Sequence, residues 1–143
     1  MTRIRKLHGG RGHLWIRIAA AIAVIFGLAT IREGGAVLLG NEQAVQAAGH
    51  YVPFVLWFNT LAGFAYVAAG IGLWLQRRWA AGLAIAIAAA TLAVFAAFGA
   101  HVASGGAYEL RTVIAMSLRS AVWLGIALLA WRLVWSPKGR AAP

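Results

Sequence analysis

The sequence predicts an all-α fold, an integral membrane bundle of four transmembrane helices with both termini cytoplasmic. Three observations carry that reading. The 143-residue chain is 62% hydrophobic and 11% charged, with mean hydropathy +0.78, whereas charged residues make up about a quarter of a soluble chain. Its apolar residues gather into runs close to the roughly 20 residues that a helix needs to cross the hydrocarbon core. Its basic residues flank those runs, the pattern of loops held at an anionic membrane face. A net charge of +10 would point to nucleic acid in a soluble protein; beside these runs it points to the lipid bilayer, and no nucleic-acid partner is expected. With no cysteine, the chain can form no disulfide, thiolate metal site or thiol redox centre.

Taken in order, the N-terminus carries Arg3, Arg5, Lys6 and Arg11 before any sustained apolar run, and Gly9, Gly10 and Gly12 argue against a stable helix there, so it reads as a cytoplasmic tail. The first span covers 14–31, apolar apart from Arg17 and Thr30. Arg17 lies within one turn of the inner end, where its stem can lift the guanidinium to the headgroups. A basic segment before an apolar one also fits a signal peptide, but no A-x-A-like site follows in LATIREGG, so the segment is read as a retained helix. Residues 32–50 form a connection that breaks at Gly34-Gly35 and holds a short interfacial helix across Glu42 to Ala48.

The second span, 51–75, contains one strongly polar residue, Asn59, and ends at Gln76-Arg77-Arg78, a link that allows only a tight helical hairpin. The third, 79–100, is alanine-rich with Gly82 and Gly99, and such small faces let neighbouring backbones approach closely. The loop Ser104-Gly105-Gly106 leads to Glu109 and Arg111, and the fourth span, 112–134, precedes Pro137, Lys138 and Arg140. The spans and tails together form a single domain, 1–143.

Orientation follows from lysine and arginine. With four spans both termini share a side, which collects Arg3, Arg5, Lys6, Arg11, Arg17, Arg77, Arg78, Arg132, Lys138 and Arg140; the other side has only Arg32, Arg111 and Arg119. The positive-inside rule places the richer side in the cytoplasm, and hence the protein in a cell inner membrane. Trp15, Trp74, Trp79, Trp131 and Trp135 mark the inner boundary, Tyr51 and Tyr108 the outer one.

This topology sorts the polar residues. All three acids, Glu33, Glu42 and Glu109, fall on the outer side with His50 and His101. Below them, Asn59 and Arg119 lie about seven or eight residues into their spans, roughly 10 to 12 Å deep at ~1.5 Å per residue. Helical spacing puts Thr112, Met116, Arg119 and Trp123 on one face, and Asn59, Gly63, Tyr66 and Gly70 on another, and both faces are expected to look inward. An arginine at that depth costs about 2.5 to 3.5 kcal/mol on insertion scales, so it should find an acid, Glu33 or Glu109. The result is an outer-facing pocket of Glu33, His50, His101, Glu109, Arg111 and Arg119 with Asn59 and Trp123 beneath. Arg119 reads either as half of a structural ion pair or as the anchor of an anionic or quinone-type ligand. His50 and His101 read as interfacial hydrogen-bonders, or as ligands to a divalent metal or a haem, although no H-x-x-x-H or E-x-x-H spacing supports the second.

The second hairpin, AGFAYVAAGIGLWLQRRWAAGLAIAIAAATLAVFAAFGAHVASGG, resembles the DoxX-like family of small four-helix membrane proteins. The likeness lies in a glycine-rich span ending in G-x-x-L, here Gly70 to Leu73, then a short basic turn and an alanine-rich span ending near a histidine, here His101. The family's glycine and lysine after its first span are replaced by Arg32-Glu33-Gly34-Gly35, so a role tied to that lysine does not carry over. The resemblance implies an accessory part beside a quinone-linked oxidoreductase or another redox or maturation system. The chain is therefore expected to be an accessory or ligand-binding subunit working with a redox or transport partner, or as a homo-oligomer, and not an enzyme on its own; a metal- or haem-binding protein is the alternative.

Overall fold

The computed structural model describes residues 3–135, with side chains for 11–134. Helix α1 spans Arg3–Leu38, α2 Glu42–Ala48, α3 Pro53–Trp74, α4 Arg78–Ala103 and α5 Leu110–Ala130, followed by a π-helical turn, Trp131–Trp135. Four segments are long and apolar enough to cross a membrane: Arg11–Leu38, Pro53–Trp74, Arg78–Ala103 and Leu110–Val134. Large apolar side chains such as Ile25, Leu28, Leu61, Phe64, Ile114 and Leu118 point outward, the inverse of a water-soluble bundle, so the chain is a multi-pass membrane protein. Of the belt residues, Trp15, Trp74, Trp79, Trp131, Tyr51 and Tyr108 are exposed. The side chain of Trp135, those of Arg3, Arg5 and Lys6, and residues Pro137, Lys138 and Arg140 lie outside the described set.

Helix α1 departs from expectation at both ends. It begins at Arg3, through the glycines that argued against helix, and runs past Ile31 through Gly34-Gly35 to Leu38. Each helical glycine costs only about 1 kcal/mol relative to alanine, which a long helix already nucleated by its apolar middle absorbs. The break falls instead at Gly40, whose φ of 75° and whose N–H bond to the Val37 carbonyl close a Schellman-type cap. The short helix α2 forms where expected, with the Asn41 side chain accepting from the Ala44 N–H at 3.0 Å.

The α3–α4 hairpin is as tight as the sequence requires. Gln76 takes the left-handed position usual for glycine, φ 54°, so that Arg77 N–H reaches the Gly72 carbonyl at 2.8 Å and Gln76 N–H the Leu73 carbonyl at 2.9 Å. Its side chain bonds to His13 of α1, tying that turn to the first helix.

Glycines weld α1 to α3. Gly27 and Gly34 on α1, and Gly63 and Gly70 on α3, are each seven residues apart and so recur on one stripe of their helix. A Cβ on Gly27 would stand 2.7 Å from the Gly63 carbonyl oxygen, and one on Gly70 would stand 2.8 Å from that of Ala20. Where lipid removes the hydrophobic drive between helices, this close backbone packing is what holds them. The main core continues across α4 and α5 as small residues, Ala80, Ala81, Ala84 and Ala130, around the larger Tyr66, Leu73 and Trp123. A second cluster, Val52, Val55, Phe98 and Met116, closes the opposite end.

Candidate functional site

The site is a cavity of about 160 Å³ between α1, α3 and α5, reached past the end of α2. Burial follows most of the two faces named from spacing: Gly63, Tyr66 and Gly70 on α3, and Met116, Arg119 and Trp123 on α5, are buried, while Asn59 and Thr112 at their outer ends are half-buried. Glu33, Asn59, Arg111 and Arg119 line the cavity together with Thr30, while Ala48, Tyr51 and Val52 form its upper wall.

Arg119 is the deepest charge, 8% exposed. Its surroundings correct the expected ion pair. The one ion pair among the described residues is His50–Glu109, so neither Glu109 nor Glu33 pairs with Arg119. Glu33 lies on the same cavity and acts on Arg119 only through space. The guanidinium makes long contacts instead: Nη2 donates to Thr30 Oγ1 at 3.4 Å, Nη1 faces Met116 Sδ at 3.7 Å, and the group sits 5.5 Å from the centre of the Phe26 ring. Its Nε is buried with no hydrogen-bond partner, as are Asn59 Oδ1, Ser120 Oγ and Trp123 Nε1. Buried polar atoms are satisfied in the great majority of cases; of these four, the Arg119 and Asn59 atoms belong to residues that line the cavity, where a polar ligand can reach them.

Beneath Arg119 the aromatic rings stack, Phe26 on Tyr66 at 6.0 Å and Tyr66 on Trp123 at 4.6 Å between centroids. Trp123 is fully buried in this stack and does not line the cavity. It supports the floor on which Arg119 rests.

The mouth is built differently. Glu109 stands at the N-cap position of α5 but does not cap it; its carboxylate accepts instead from the His50 backbone N–H at 2.8 Å, with His50 Nδ1 at 3.3 Å. Those bonds from His50, the backbone N–H first and the ring second, hold the Glu109 carboxyl below its ordinary value of 4.5. Arg111 donates to the Ala47 carbonyl at the end of α2. Together they fasten the α2–α3 connection over the cavity.

His101 is not at the mouth. Its Nε2 lies 3.1 Å from the Ala107 carbonyl, inside its own loop, and its ring packs edge-on to Phe54 at 6.4 Å. His50 and His101 thus serve different local structures, and among the described residues no three His, Cys, Asp or Glu side chains are grouped to hold a metal. A haem or divalent-metal site shared by the two finds no support in this placement.

Thr30, Phe26 and Met116 belong to the site without being among the residues that the sequence marks for the pocket. Thr30 had a signal, being with Arg17 one of two polar interruptions in the first span. Met116 had the helical spacing that puts it on the Arg119 face, and Phe26 had none, because an apolar residue facing a cation looks like any core residue.

The volume is close to that of an engineered cavity of about 150 Å³ that admits benzene. A guanidinium is a planar fork of donors suited to a carboxylate or similar oxyanion. Such a group, alone or on one small ring, fits what the cavity offers. No family model, curated protein or solved structure matches this chain.

Proposed function

We propose that the protein is a ligand-binding accessory subunit of a cell inner membrane, and that its outer-facing cavity holds a small anion or an anionic or quinone-type headgroup against Arg119. The observation that carries this reading is a buried guanidinium open to a cavity with no carboxylate in ion-pair range. An intramembrane charge without an acid beside it is by default a candidate for a substrate or ligand pathway. The excess of arginine at the ends of α1, α3 and α4 opposite Glu33, Glu42 and Glu109 supports the orientation with the cavity outward. The resemblance of the second hairpin to the DoxX-like family supports a redox or transport partner, as a separate subunit or a second copy.

The test is thermal unfolding of the detergent-purified protein with added acetate, benzoate, phosphate, sulfate or a water-soluble quinone. A ligand that binds only the folded state stabilises it by about 2.7 kcal/mol at a hundred times its Kd. One of these probes should raise Tm saturably in the wild type and not in Arg119→Leu. If all five leave the two proteins indistinguishable, the cavity is not a binding site for this class.

A further inference from the structure

A second hollow lies at the opposite, basic end of the bundle. Between α1 and α3, a groove of about 400 Å³ is walled only by apolar side chains, Ala21, Val24 and Ile25 on one helix and Ile71, Trp74 and Leu75 on the other. Its floor is the glycine seam, where the Gly70 backbone meets Ala20. The groove faces outward, since Ile25, Ile71, Trp74 and Leu75 are all more than half exposed, so its surroundings are acyl chains.

What distinguishes it from any lipid-facing surface is its end. Arg17 precedes Ala21 by one helical turn, and its guanidinium is held 5.4 Å from the centre of the Trp74 ring. Stacking fixes the cation at the point where the groove reaches the headgroup level. Arg77 and Arg78 follow Trp74 at the same end. No side-chain carboxylate lies at this end, because Glu33, Glu42 and Glu109 all belong to the other end of the helices. An anionic headgroup of the bilayer can supply the counter-charge.

We propose that this groove is a specific site for one anionic phospholipid, an acyl chain lying between α1 and α3 and its phosphate on Arg17. A zwitterionic lipid fits the groove equally well but places its own ammonium among Arg17, Arg77 and Arg78, so charge selects a headgroup without a cation. The same basic end disfavours a second copy of this chain as the occupant, since two such ends would repel. The site is separate from the Arg119 cavity and does not depend on the function assigned to it.

The experiment is native mass spectrometry of protein extracted from equimolar phosphatidylglycerol and phosphatidylcholine vesicles. The wild type should keep one phosphatidylglycerol. Arg17→Gln should lower that retention about fivefold, the effect of one surface arginine, while Arg132→Gln, which removes the same charge elsewhere, leaves it unchanged. Ala21→Phe fills the groove from an exposed position and should remove the bound lipid of either class. Arg119→Leu should retain it, which separates this site from the cavity. Equal retention of the two lipids, an equal loss with Arg132→Gln, or a retention that neither Arg17→Gln nor Ala21→Phe alters would each overturn the assignment.

Discussion

Along the α1/α3 seam, Gly27, Gly63 and Gly70 press backbone against backbone and leave no room for a methyl group. Around Arg119, where the same two helices meet α5, side chains hold open a cavity lined by two residues with unpaired buried polar atoms, Asn59 and Arg119. The seam is what close packing without a hydrophobic drive looks like; the cavity is what remains when polar groups are kept for something other than packing. The seam therefore holds the helices at a fixed separation, against which the cavity can stay open.

The strongest test of that contrast is Arg119→Leu. If the arginine serves a ligand, its removal relieves the folded state of a buried charge worth up to about 2.5 to 3.5 kcal/mol, and Tm measured without ligand should stay level or rise. Loss of a true buried ion pair would instead destabilise by about 3 to 5 kcal/mol, so a steep fall in Tm would make Glu33 a structural partner. Next, Gly63→Leu should destabilise by about 1 to 3 kcal/mol or more, since its Cβ would stand 2.8 Å from Ile31 Cγ1 and 3.1 Å from the Gly27 carbonyl oxygen. An unaltered melting curve would mean that the seam gives way and is not rigid.

Glu109→Gln probes the mouth. Because the folded state lowers this carboxyl, its contribution is fully present above the unfolded value of about 4.5 and is lost as pH falls through the lowered folded value. Between pH 6 and pH 3, Tm of the wild type should fall more steeply than that of the variant, and hydrogen exchange in α2 should be faster in Glu109→Gln at neutral pH; parallel curves would remove Glu109 as the fastening. The smallest effect is expected at Gly125, where an added Cβ meets nothing within 4 Å. Gly125→Ala should stabilise by about 0.4 to 1 kcal/mol, and a loss comparable to that of Gly63→Leu would show that α5 is packed as closely as the seam.

Much of the cavity was legible because hydropathy and helical period are one-dimensional signals. The spacing of Met116, Arg119 and Trp123 is enough to put them on one face, and the basic clusters are enough to pair the helix ends. The readings that failed, the Arg119 ion pair among them, are those in which the answer depends on neighbours. Gly34-Gly35 looks like a break because glycine weakens a helix, yet Gly34 lies in the helix against Thr60, where a side chain would collide. His101 ends its helix near the depth of Glu109, yet its ring turns into its own loop toward Ala107.

The sequence by itself determined four spans, their order, and the inward faces of α3 and α5, since a bilayer accepts apolar helices and little else. The phase of α1 against α3, and therefore which charges meet, was decided only by tertiary packing. Glycine contacts set the separation and phase of α1 against α3, and the Glu109 carboxylate is taken by His50. Arg119 is thereby left beside Thr30 and Phe26 without an acid to pair with.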